Sequence, residues 1–160
     1  SQVVIYPWVP DALAQLCRAG YRLSIATNQP SAAKGKTTKA NLEAVQARVL
    51  EEIQAMGAVI SSSHICFHRS EDACLCRKPK PGLLLEAISG AGQVDLSHCW
   101  MIGDGVTDVQ AGAAARVKTA FLGPHKCDGC KVFEKAGISP SFWGDNLLEF
   151  TQQLLKGDLT

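Results

Sequence analysis

Apolar residues recur along the chain with two alternating periods. Val9, Leu13, Leu16 and Cys17 share one face of a predicted helix over 9–19, closed by Gly20. The run Leu23-Ser24-Ile25-Ala26 reads as a buried strand over 22–27 that exits into polar Thr27-Asn28-Gln29. Leu42, Val45, Val49, Leu50 and Ile53 mark a long helix over 37–56, ended by Gly57. A strand is expected over 65–68. Pro81 suits the first turn of a helix over 81–91. Trp100-Met101-Ile102 makes a short strand that breaks at Gly103-Asp104-Gly105. A helix over 106–115 and a strand over 118–122 follow. A helix over 133–136, a short strand over 141–143 and a helix over 147–155 finish the chain. Strands alternating with helices predict an α/β fold, a Rossmann-like parallel sheet flanked by helices, in a single domain over 1–160. Crossovers should be right-handed. Ligands bind such sheets at the carboxyl ends of the strands. The polar exits at Thr27-Asn28 and at Asp104 are therefore expected to face one crevice.

Composition narrows the function classes. With 46% hydrophobic and 19% charged residues, the chain has an ordinary globular balance and is too apolar for a disordered one. Sixteen basic residues against fifteen acidic ones leave a net charge of +1, so no bulk field points to nucleic acid or an anionic membrane. The longest apolar runs, such as 3–6 and 111–115, fall far short of the roughly 18–20 residues a membrane span needs. The opening Ser-Gln-Val-Val-Ile-Tyr-Pro has no basic segment of the kind that starts a signal peptide. Seven cysteines, an odd count, do not make a secreted disulfide framework. Cys74 and Cys76 are too close for an unstrained disulfide. Clustered thiols fit a reducing compartment and metal binding, so a cytoplasmic protein is expected, with a monomer as its simplest state.

The sharpest chemical signal is Cys66-x-His68, five residues, then Cys74-x-Cys76. Three thiolates and one imidazole match a tetrahedral zinc site, closed by four protein ligands and therefore structural. The plainer alternative is a group of buried thiols beside a surface histidine. Arg77-Lys78-Pro79-Lys80 places three cations just before a helix start, a pattern that suits a phosphate or, more plainly, a solvated basic turn. Asp104 and Asp108 follow a strand end and offer oxygen ligands to magnesium, although Asp108 could equally cap its helix. Thr27 and Asn28 offer a hydroxyl and an amide to a phosphate oxygen, or ordinary turn chemistry. Cys127-Asp128-Gly129-Cys130 has redox or half-metal-site spacing, with reduced, partly buried thiols as the favoured alternative. Cys17 and Cys99 read as packing residues.

Taken in order, Ala26-Thr27-Asn28-Gln29, the Cys/His loop, Arg77-Lys78-Pro79 and Gly103-Asp104-x3-Asp108 resemble the haloacid dehalogenase superfamily. They look most like its heptose-bisphosphate and histidinol-phosphate phosphatase branch. The likeness runs from Tyr6-Pro7-Trp8-Val9-Pro10 to the last helix, and the metal loop fused to Cys76-Arg77-Lys78-Pro79 is its most specific part. The resemblance implies magnesium-dependent hydrolysis of a phosphorylated small molecule. Thr27 would bind the transferring phosphoryl group, with Asn28 beside it. Lys78 would neutralise charge and Arg77 would hold substrate. Asp104 would ligate magnesium, Asp108 would steady the loop, and Cys66, His68, Cys74 and Cys76 would hold zinc.

The chain also departs from the family pattern. The family nucleophile sits in an Asp-x-Asp motif on a first strand, and no Asp-x-Asp occurs in this sequence. The chain is accordingly expected to be N-terminally incomplete, with its first strand missing, and inactive alone. The loss of a central strand predicts two open strand edges and a slot in the apolar core. Gly105 stands where the branch often has lysine, and Ala32-Ala33-Lys34-Gly35 where it often has Gly-x-x-Arg-Gly. The alternatives are a histidinol-phosphate phosphatase, a zinc-stabilised pseudo-enzyme that binds phosphorylated ligands without turnover, and, on spacing alone, a Cys127/Cys130 oxidoreductase.

Overall fold

Helix α1 (Val9–Arg18) buries Ala12 and Leu16, and the chain reverses at Gly20, whose φ of +86° favours glycine. This and the following geometry come from a computed structural model that describes residues 3–123 and 127–159, with the backbone alone for 127–130 and 132. Strand β1 (Leu23–Asn28) and strand β2 (Ile60–Cys66) pair in parallel, with Asn28 opposite Cys66. Helix α2 (Lys39–Ala55) connects them. Its start is set by Thr38, whose hydroxyl accepts the Asn41 N–H at 3.1 Å. Helix α3 (Gly82–Gly90) leads to β3 (Trp100–Gly103), α4 (Val106–Ala114) and β4 (Lys118–Leu122). Helix α5 (Cys127–Ala136), β5 (Phe142–Gly144) and α6 (Leu147–Lys156) complete the order.

Two elements differ from the sequence expectation. Strand β2 starts at Ile60 and ends at Cys66, five residues earlier than the predicted start and short of His68. Its Ser61-Ser62-Ser63 run hides the strand, because alternation is lost when hydroxyls occupy both faces. Those hydroxyls are used: Ser62 Oγ pairs with Ser24 Oγ at 2.8 Å, and Gln46 donates to Ser63 Oγ at 3.0 Å. Helix α5 begins at Cys127 rather than at 133. The Cys127–Cys130 segment is thus its first turn, and the two thiols lie outside the described side chains.

All the strand pairs are parallel, as expected, but they form two sheets: β1-β2 and β3-β4-β5. Among the described residues, β1 pairs only with β2, and β3 pairs only with β4 and not with β1. The halves are joined by side chains. Cys66, Leu83, Leu84, Ala111 and Ala115 form one buried cluster that also touches Ala26 of β1 and Met101 of β3. A second cluster sets Phe150 of α6 against Ala120 and Phe142, with Trp100 edge-on to Phe150 at 5.1 Å. Helices α1 and α6 pack against each other. Between β1 and β3 lies a slot flanked by cavities of about 1060 and 610 Å³. Leu16, Leu23, Trp100, Met101 and Ile102 line both of them.

Candidate active site

The crevice is built at the carboxyl ends of β1 and β3, where the backbone leaves each sheet and polar side chains can be presented. Its centre is Lys78. The ammonium sits 2.7 Å from Asp108 Oδ1 and donates to the Ala26 carbonyl of β1 at 2.6 Å. Both charged side chains are about nine-tenths buried, with 11% and 10% of their surface exposed. The other Asp108 oxygen accepts the Gly105 N–H at 3.0 Å, which closes the turn from β3 into α4. The salt bridge therefore ties the turn after β3 to the end of β1 across the slot.

Asn28, at the end of β1, bonds to the Lys78 backbone. Its Nδ2 donates to the Lys78 carbonyl at 3.0 Å, and its Oδ1 accepts the Lys78 N–H at 3.1 Å. Both arms of the amide are thus bonded to one residue's backbone, so Asn28 fixes the height of Lys78 in the crevice. Thr27 keeps a half-buried hydroxyl with one long contact, from Gln29 Nε2 at 3.4 Å. Asp104 is exposed on the wall of the larger cavity and has no hydrogen bond or ion pair with the described residues. Arg77 turns one guanidinium N–H to the His68 carbonyl at 3.2 Å.

The loop from Cys66 to Cys76 brings four donors together. The ligand atoms of Cys66, His68, Cys74 and Cys76 all lie within 4.8 Å of one another. The Cys66–Cys74, Cys66–Cys76 and Cys74–Cys76 sulfurs are 3.8, 3.2 and 3.6 Å apart, and His68 Nδ1 lies 3.6 and 3.3 Å from Cys66 and Cys76. A tetrahedral ion with metal–sulfur bonds of about 2.3 Å would set sulfurs about 3.8 Å apart. The donor set therefore fits one cation. Burial, then the Cys66 and Cys74 sulfurs, pushes the Cys76 thiol up to about 12. Burial also acts to raise Cys74, but the Arg77 N–H and the neighbouring thiols outweigh it and hold Cys74 below the usual thiol value. Gly82 lets α3 start directly beneath this loop, since a Cβ there would meet the Leu75 carbonyl oxygen at 2.5 Å. No disulfide joins the described cysteines.

Residues 1–116 match the sequence profile of haloacid dehalogenase-like hydrolases. The chain belongs to the haloacid dehalogenase-like hydrolase family. It is 33% identical over 153 residues to the D-glycero-beta-D-manno-heptose-1,7-bisphosphate 7-phosphatase of Pseudomonas putida, covering 92% of this chain and 86% of that one. The protein of that name in Neisseria meningitidis serogroup A is 34% identical over 157 residues, with 93% and 82% covered. The crystal structure of D,D-heptose 1,7-bisphosphate phosphatase from B. bronchiseptica, complexed with magnesium and phosphate, matches with a TM-score of 0.82 at 28% identity, covering 96% of this chain and 85% of that one. Among the described residues no helix is long and apolar enough to cross a membrane.

Within this hydrolase fold, sequence reasoning missed Gly103. A Cβ on it would run into the Asp108 carboxylate, so only glycine lets that side chain fold back to Lys78 and Gly105. No spacing signal marks this, because the contact arises from how α4 leaves the strand. Gly103→Ala is expected to lower stability by about 1–3 kcal/mol, as overpacking does. Urea denaturation would show it as an earlier midpoint at unchanged slope. An unchanged midpoint would mean that the carboxylate has room to move.

Proposed function

We propose that this chain is the phosphate-handling body of a magnesium-dependent sugar-phosphate phosphatase of the heptose-bisphosphate type. The observation that carries the reading is the Lys78 ammonium, held between Asp108 and the Ala26 carbonyl at the mouth of the slot. Hydrolysis of a phosphomonoester rests on positioning and charge stabilisation, which is what a fixed, nearly buried cation supplies. Lys78 binds phosphoryl oxygens, the Thr27 hydroxyl donates to another, and Arg77 holds the rest of the substrate with its remaining N–H groups. Asp108 holds the Lys78 ammonium in place.

Two metals complete the proposal. Cys66, His68, Cys74 and Cys76 fit zinc by donor type and spacing, and four protein ligands make it a structural ion. Asp104 fits magnesium, which is commonly held by one or two carboxylates together with substrate oxygens and water. Bound there, magnesium would neutralise charge on the phosphoryl oxygens.

The attacking carboxylate is proposed to arrive on a strand seated in the slot. The 160 residues contain no Asp-x-Asp, and the slot has an open parallel edge on each side and apolar walls on both faces. A strand filling it would be apolar on both faces and would end its carboxyl terminus beside Lys78 and Asp104. Its carboxylate oxygen attacks phosphorus, and a neighbouring carboxylic acid protonates the departing alcohol. Water then hydrolyses the acyl phosphate.

The test joins an apolar Asp-x-Asp strand to this chain and measures phosphate release from D-glycero-D-manno-heptose 1,7-bisphosphate. The expected result is magnesium-dependent turnover by the joined protein and none by the 160 residues alone. A joined protein that melts cooperatively yet hydrolyses no sugar phosphate would overturn the proposal. Should it bind inorganic phosphate without turnover, the pseudo-enzyme reading takes its place. Preference for histidinol phosphate over the heptose ester would place the chain in the other branch.

A further inference from the structure

Lys80 is exposed, two residues beyond Lys78, and no part of the phosphate chemistry above uses it. Its ammonium is nevertheless engaged. It donates to the Cys74 carbonyl at 2.7 Å and to the Ala73 carbonyl at 3.2 Å. Ala73 has a φ of +48°, in the left-handed region that a residue with a Cβ rarely adopts. That turn brings Cys74 and Cys76 back towards Cys66 and His68. Arg77 takes the other end of the same loop through the His68 carbonyl at 3.2 Å. Within the basic segment, the Lys80 N–H bonds the Arg77 carbonyl at 2.9 Å, so residues 77–80 form one closed turn. On its far side Asn28 grips Lys78 by both backbone groups. One short turn is thus fastened to the metal loop by its outer two cations and to β1 by its middle one.

We infer that Lys80 is a positioning residue, which sets the place of Lys78 by clamping the Ala73 and Cys74 carbonyls of the metal loop to the Arg77–Lys80 turn. This inference rests on the proposed role of Lys78. An ammonium suits the task, because it donates in several directions to carbonyls at once.

Lys80→Met keeps the length of the side chain and removes its donors, whereas Lys80→Arg keeps them. Amide hydrogen exchange on the zinc-loaded 160-residue chain reads the result. Charged hydrogen bonds contribute enough that Lys80→Met is expected to speed exchange at the Lys78 amide by about tenfold. Zinc transfer to a chelator should quicken to a similar degree, and Lys80→Arg should restore both. Amides of β4 serve as the control, and if they quicken too, Lys80→Gln replaces Lys80→Met. An unchanged Lys78 amide, even with faster zinc loss, would overturn the inference, because Lys80 would then be only a local anchor of the loop. Equal loss in Lys80→Arg and Lys80→Met would overturn it as well. Calorimetry of the wild-type chain with inorganic phosphate tests the phosphatase reading separately, since its failure leaves the exchange comparison to be judged by itself.

Discussion

Lys78→Met is expected to weaken inorganic phosphate binding by about a hundredfold and to destabilise the chain by about 3–5 kcal/mol. The two effects share one cause. Lys78 and Asp108 are each about nine-tenths buried and 2.7 Å apart, so removing the cation leaves a buried carboxylate whose remaining partner among the described residues is the Gly105 N–H. Methionine fills the space of the lysine stem but supplies no donor to Asp108 or to the Ala26 carbonyl. The double variant Lys78→Met with Asp108→Asn separates the effects. An asparagine oxygen can still accept from Gly105, so most of the lost stability should return while phosphate binding does not. Urea denaturation and calorimetry with inorganic phosphate provide the two readings. Wild-type affinity in Lys78→Met would remove the clamp from the phosphate site. Wild-type stability would mean that Asp108 reaches water in solution.

The second large effect concerns the Cys66–Cys76 loop. With zinc a thousandfold above its dissociation constant, the bound ion contributes about 4 kcal/mol to folding stability. Removing it by chelation is expected to lower the melting temperature of a chain this size by roughly 10 °C. Cys76→Ser should reproduce most of that fall without chelator. The effect has a definite sign with pH. In the metal-free chain the Cys76 thiol is pushed up to about 12 by burial and by its sulfur neighbours, so it carries a proton at neutral pH. Metal uptake must displace that proton, and affinity therefore falls as pH falls. Elemental analysis that finds no zinc, together with a melting temperature indifferent to chelator, would refute this account.

The sequence exposed the helices best where one apolar face is buried. Helix α1 and helix α6 were legible from apolar spacing because each presents a single stripe to the core. The first part of strand β2 was not, since its hydroxyls and His64 satisfy one another and neighbouring helices instead of marking one apolar face. The Cys/His set was legible in full, because all four donors fall within eleven consecutive residues and a short loop must bring them close. The partnership of Lys78 with Asp108 was not, as thirty residues and two strand ends separate them. Asn28 shows the same limit: its position at the strand exit could be read, but not that its amide would close on the Lys78 backbone.

By itself, the sequence determined the α/β alternation and the four metal donors, since both depend on residues near in the chain. Tertiary structure alone decided that Lys78 is salt-bridged to Asp108, that Gly103 must lack a side chain, and that the Asn28 amide closes on the Lys78 backbone. The physical reason is common to all three. Local spacing fixes which face of an element is apolar, but burial of a charge depends on which distant elements the packed core brings alongside it.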